Sequence, residues 1–182
     1  MRPNRDYSAT ANNRFLGIIE SFFIVSQTTA FADSFDLANA EAYAKWRDDK
    51  LNGYPESADA LCVEVTDLEH PSAPELMAMK QRIAKSNMVL YGTRLNGDTD
   101  VARIKKALVA LAGSFGLRHL DANLCADEDA ITPLSVAEGG RRGRYIPYTN
   151  KPISWHTDGY YNKQEQQIRA MVLHCVSAAA TG

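Results

Sequence analysis

His156, Thr157, Asp158 and Gly159 follow one another at the end of a β-like run at 153–156. On a strand, side chains alternate faces, so residues i and i+2 project the same way with their heads a few ångströms apart. An imidazole and a carboxylate on one face are two of the three ligands of a 2-His-1-carboxylate set. Such a set grips Fe(II) on one side and leaves positions open for a co-substrate and O2. Gly159 would let the backbone leave the strand without a side chain crowding the metal. Neither an imidazole nor a carboxylate performs redox work by itself, so a metal has to carry it. His-x-Asp alone is a short pattern, and a lone strand histidine is more often structural than a ligand. The surroundings add specificity: Trp155 precedes the histidine, Gly159-Tyr160-Tyr161-Asn162 follows the aspartate, and a further β-like run occupies 168–176.

Trp155-His156-Thr157-Asp158, the run at 168–176 and the closing Ala179-Ala180-Thr181-Gly182 together resemble the TauD/TfdA (taurine dioxygenase-like) family of Fe(II)- and 2-oxoglutarate-dependent oxygenases. The likeness is closest to bacterial members that read IPYT-x-x-P-x-x-WHTDGYYN. It extends weakly back to about Phe35 and does not cover residues 1–33. The resemblance implies a double-stranded β-helix (jelly roll) with helices packed outside, and it implies that His156 and Asp158 are iron ligands. It also implies an oxidoreductase that consumes O2 and 2-oxoglutarate, releases succinate and hydroxylates a small organic substrate. Phe115-Gly116-Leu117-Arg118-His119 is similar to the family's Phe-Gly-x-x-His segment, whose histidine faces the substrate. Ala122 stands where the taurine enzymes place a tyrosine, which argues against taurine itself. Tyr160 and Tyr161 join His119 as candidate substrate contacts, and Trp155 and His174 are expected to support the ligands from behind.

Family members continue beyond the equivalent of Gly182 to a distal histidine and to an arginine that pairs with the co-substrate's C5 carboxylate. Residues 34–182 therefore read as the N-terminal part of such a domain, truncated at its C-terminus and expected to be inactive alone. His174 is the one nearby substitute for the distal ligand, but its neighbours Leu173 and Cys175 favour a core or supporting role. The competing reading is a non-catalytic relative, or a cupin-like β-sandwich module that binds a small molecule without chemistry.

The elements that would position these residues are an α+β set. Residues 39–51 read as a helix with Tyr43, Trp46 and Lys50 on one side, 61–65 as a short strand, and 88–91 as another. Ser72 and Glu75 have capping-box spacing ahead of a helix carrying Leu76, Met79 and Ile83. The strongest helix spans 99–115, with Val101, Ile104, Leu108, Leu111 and Phe115 as its apolar stripe, Asp98 as cap and Gly116 as stop. Beyond Gly116 come short β-like runs at 117–124, 131–137, 145–148, 153–156 and 168–176.

Composition bounds the rest. Twenty basic and 22 acidic residues leave a formal charge of −2, which gives no reason to expect nucleic acid or an anionic membrane as partner. Arg141, Arg142 and Arg144, diluted by glycines, read as a solvated loop. Cys62, Cys125 and Cys175 are odd in number and widely spaced, which suits free thiols in a reducing, cytoplasmic setting. The apolar run at 15–25 imitates a signal-peptide core, but Glu20 interrupts it and it is too short to span a bilayer. Residues 1–33 are therefore read as a poorly ordered, dispensable extension. An unpaired apolar strand at 168–176 would invite pairing with a second chain, hence a homo-oligomer.

Overall fold

A β-α-β unit lies at the centre of the molecule. The structure, a computed structural model, describes residues 16–21, 33–95, 98–120, 129–159, 161–166 and 168–178. Its strands are β1 (Leu16–Ser21), β2 (Cys62–Val65), β3 (Met88–Thr93) and β4 (Ala170–Leu173). Its α-helices are α1 (Ala40–Leu51), α2 (Ala58–Leu61), α3 (Ala73–Ser86) and α4 (Val101–Ser114). The strands form one sheet in the order β2-β3-β1-β4.

Strands β2 and β3 run parallel, with Cys62 opposite Leu90 and Val65 opposite Thr93. A parallel pair needs a crossover that returns the chain to the same edge, and the 14-residue α3 supplies it. The start of α3 is fixed by the expected capping box. Ser72 Oγ accepts from the Glu75 amide at 3.4 Å, and the Glu75 carboxylate accepts from the Ser72 amide at 2.6 Å. The same carboxylate accepts from the Thr66 amide at 2.8 Å, which ties the end of β2 to the first turn of α3. These bonds to the ionised form lower the Glu75 pKa to about 2. At the other end Asn87 takes the left-handed conformation (φ 63°) that stops the helix one residue before β3.

The core lies between this unit and α4. Val63, Val65, Leu68, Met79, Ile83, Val89, Tyr91, Ala107, Leu111 and Phe115 form one buried cluster. In the α4 stripe Ile104, Leu111 and Phe115 are buried, whereas Val101 is half exposed. The cap of α4 is Asp100, which accepts from the Arg103 amide at 3.1 Å. Asp98, the expected cap, instead accepts from the Asp100 amide and pairs with Arg103. Asp100 lies directly before the first helical turn, where a short carboxylate reaches the third amide.

Helix α1 is attached differently. None of its residues is buried. Lys50, near its C-terminus, donates to the Ala84 carbonyl at 2.5 Å and to Asn87 Oδ1 at 2.9 Å, at the end of α3. Lys85 of α3 answers by donating to the Asp49 carbonyl at 2.6 Å and to the Asn52 carbonyl. Each helix thus offers a lysine to the carbonyls left open at the other's C-terminus, where the helix dipole favours positive charge. Partial burial, and then the nearby Lys85 charge, lower the Lys50 pKa.

Several sequence expectations differ from this architecture. Residues 16–21, inside the segment expected to be a dispensable extension, form the strand between β3 and β4, with Ile19 opposite Val89 on one side and Val172 on the other. The apolar run that imitates a signal peptide has a strand to make. Of the β-like runs after Gly116, only part of 168–176 is a strand (β4). The run at 131–137 contains Pro133 and is irregular, and Ile146–Tyr148 is a 3-10 turn with Pro147 at its start. A proline has no amide to donate to a ladder, which explains both. Residues 121–124 lie outside the described residues. The sheet is mixed, with β2 and β3 parallel and β1 antiparallel to both of its neighbours. Among the described residues the strands form this one open sheet and no closed jelly roll. No helix of the described residues is long and apolar enough to cross a membrane.

Candidate metal centre

His156 and Asp158 lie in an irregular segment that ends in a turn at Asp158–Gly159. Strand alternation is therefore not what brings them together. Gly159, at φ 66°, bends the chain in the left-handed region open to glycine. A Cβ there would stand 2.7 Å from Ile168 Cδ1 and 3.2 Å from Asn162 Nδ2, so the turn packs directly against the chain leading into β4. The Asn162 amide donates to the Gly159 carbonyl at 2.8 Å, and Asn162 Nδ2 donates to the Gln166 carbonyl at 2.9 Å. These bonds close the loop between the motif and β4.

Within this turn His156 Nε2 lies 3.5 Å from Asp158 Oδ1, with both side chains about half exposed. His156 Nδ1 lies 2.8 Å from the Ser154 carbonyl oxygen. A carbonyl only accepts, so Nδ1 carries the hydrogen and Nε2 of the neutral ring presents a lone pair. That lone pair lies beside a carboxylate oxygen, so the two atoms can share a cation placed between them. A backbone acceptor on the far ring nitrogen is the usual device for orienting a metal-binding histidine. The donor set, one imidazole nitrogen and one carboxylate oxygen converging at the surface, fits a divalent transition metal. Among the described residues no group of three or more His, Cys, Asp or Glu side chains gathers to complete a cage.

The other anticipated residues are placed as follows. Trp155 is fully exposed (104%) and Tyr161 largely so (69%). They flank the His156–Asp158 pair in sequence without covering it. His119 is exposed on the segment after α4. Tyr160 and Ala122 lie outside the described residues. His174 stacks on Tyr91, with ring centroids 6.0 Å apart, and its contacts are made in the sheet. Arg142 lies over the Tyr148 ring, 5.4 Å from its centroid, so this arginine is more than solvated loop. Cys62 and Cys175 are of intermediate burial. An apolar groove along α4, lined by Val101, Lys105, Val109 and Ile131, shares no residue with the motif.

No family model, curated protein or solved structure matches this chain. The motif and its geometry therefore carry the functional argument alone.

Sequence reasoning missed two contributors. Ser154 acts through its backbone carbonyl, which every residue type possesses, so no residue pattern announces it. Ile168 closes against Gly159, and the sole hint is the glycine itself.

Proposed function

We propose that the chain carries two iron ligands, His156 and Asp158, of an Fe(II)- and 2-oxoglutarate-dependent oxygenase of the TauD/TfdA kind, which hydroxylates a small organic substrate. The observation that supports this most directly is the His156 ring. Its Nδ1 is held by the Ser154 carbonyl, and its Nε2 is aimed at Asp158 from 3.5 Å. When bound, the metal with 2-oxoglutarate supplies the O2 chemistry. The chain's own work is to fix the imidazole tautomer through Ser154, to hold the carboxylate beside it through the Gly159 turn, and to leave the other side of the site open. Trp155 and Tyr161 offer exposed aromatic faces to a substrate, and His119 and Tyr160 join them on the strength of the sequence resemblance. The same reading carries the double-stranded β-helix as the family's fold. It also suits a reducing, cytoplasmic compartment, where ferrous iron and reduced thiols persist.

The test uses a control built into the molecule. His70 and Asp67 form a second exposed His–Asp pair, with Nδ1 3.2 Å from the carboxylate. In that pair the aspartate itself occupies the nitrogen that Ser154 occupies in the motif. Titration with Co(II) or Fe(II) under anaerobic conditions should show a site lost in His156→Ala and in Asp158→Ala and unchanged in His70→Ala. Binding that survives either motif substitution overturns the assignment. Succinate formed from 2-oxoglutarate with Fe(II), ascorbate and O2, and lost in both motif variants, would extend the result from binding to reaction.

A further inference from the structure

Tyr91 of β3 and His174, just past β4, belong to strands that are not neighbours, yet their rings stack at 6.0 Å and 16°. The register explains how. Tyr91 pairs with Gly17 of the intervening β1. Ile18 pairs with Leu173, so one step further along the same ladder Gly17 faces the position of His174. The three residues form one row across the sheet, and the middle one has no side chain to keep the outer rings apart. Tyr91 is fully buried. Its hydroxyl oxygen lies 3.1 Å from His174 Nδ1 and 3.4 Å from the Leu173 carbonyl.

Only one assignment of protons satisfies both contacts. The carbonyl accepts from the tyrosine O–H, so His174 Nδ1–H must donate to the tyrosine oxygen. Nε2 is then a bare lone pair, and it is buried with no hydrogen-bond partner among the described residues. An unfilled acceptor is tolerable there. A second N–H, bearing charge and with no acceptor, is not. Among the described residues the titratable and charged groups next to His174 in space or in sequence are Tyr91 on β3, Cys175 and, before β4, the exposed Arg169; Glu20 of β1 stands in register with Met171. Strand β4 has four residues and, among the described residues, one strand neighbour, so it is the part of the sheet that leaves most easily.

We propose that Tyr91 and His174, stacked across Gly17, form a pH-gated latch that keeps β4 on the sheet while His174 is neutral and releases it when His174 is protonated. This does not rest on the metal reading. Burial lowers the His174 pKa in the folded chain, as a latch held by the neutral ring requires. The other three histidines, His70, His119 and His156, are exposed and give an internal comparison.

The experiment follows amide protection of Met171 and Val172, together with the histidine ring resonances, from pH 7.5 to 5.5 in the intact chain. Protection in β4 should fall as the pH drops below about 6.5, the value of a free imidazole, by at most about tenfold per pH unit and only until the lowered pKa of the folded state is reached. The His174 ring should titrate below that free-imidazole value. In His174→Gln, which still reaches Tyr91 but does not titrate in this range, protection should be flat. The ring titration needs no variant, so the test stands even if that substitution prevents folding. Protection of β4 that does not change with pH, a His174 ring that titrates at or above the ordinary imidazole value near 6.5, or a pH slope retained in His174→Gln would overturn the latch.

Discussion

Gly159 makes two demands at once, a left-handed backbone and an absent side chain, and they can be separated. Gly159→Ala should cost about 1–2 kcal/mol for the φ of a non-glycine residue, with a further loss from the Cβ meeting Ile168. Urea unfolding measures the sum. In Gly159→Ala/Ile168→Ala the collision is gone, so the double variant should be more stable than the two single losses added together imply. Additive losses would mean that the turn does not rest on Ile168. By contrast, Ser154→Ala should leave Co(II) affinity within about twofold, because the contact to His156 is made by backbone. At this scale the sequence was informative in a specific way. That His156 and Asp158 stand side by side is what their spacing leads one to expect, but the strand argument for it does not hold. A turn brings them together, and turns depend on neighbours such as Ile168 that lie outside the local pattern.

Helix α3 was the most legible element, because a capping box is a local device whose residues are three positions apart and whose partners are backbone amides. Ser72→Ala should cost about 1 kcal/mol. Glu75→Gln has a pH signature whose sign follows from its lowered pKa. The folded value of about 2 lies below the ordinary carboxylate value near 4.5, so the unfolded chain takes up the proton first as the pH falls. The stabilisation is fully present above about 4.5 and is lost as the pH falls through about 2. The stability gap between the parent and Glu75→Gln should therefore be constant at neutral pH and narrow under acid, in thermal melts run across that window. A gap that stays constant down to pH 2 would remove the carboxylate from the cap. The β-like runs after Gly116 were misleading because apolar alternation says what a segment could bury, not whether its amides can pair. Pro133 and Pro147 withdraw donors where the pattern looks best.

For the whole molecule the decisive placement is β1, which the sequence hid behind a resemblance to a targeting signal. A strand with neighbours on both sides uses every amide in one ladder or the other. Ile19→Pro should then remove a sheet bond whichever way it points, and should lower the melting temperature by roughly 6–12 °C if an interior proline costs about 3 kcal/mol. An unchanged melting temperature would return residues 16–21 to the status of an appendage. The order β2-β3-β1-β4 was not legible at all, since it joins segments separated by most of the chain, and nothing local selects partners at that distance. The paired lysines between α1 and α3 have a consequence for proteolysis. Because no residue of α1 is fully buried, its detachment exposes little new apolar surface, and denaturant sensitivity scales with the surface exposed. Cleavage of native chain within residues 40–51 should therefore proceed at a rate nearly independent of low urea concentrations. It should accelerate severalfold in Lys50→Gln/Lys85→Gln, while the sheet behind it stays uncut.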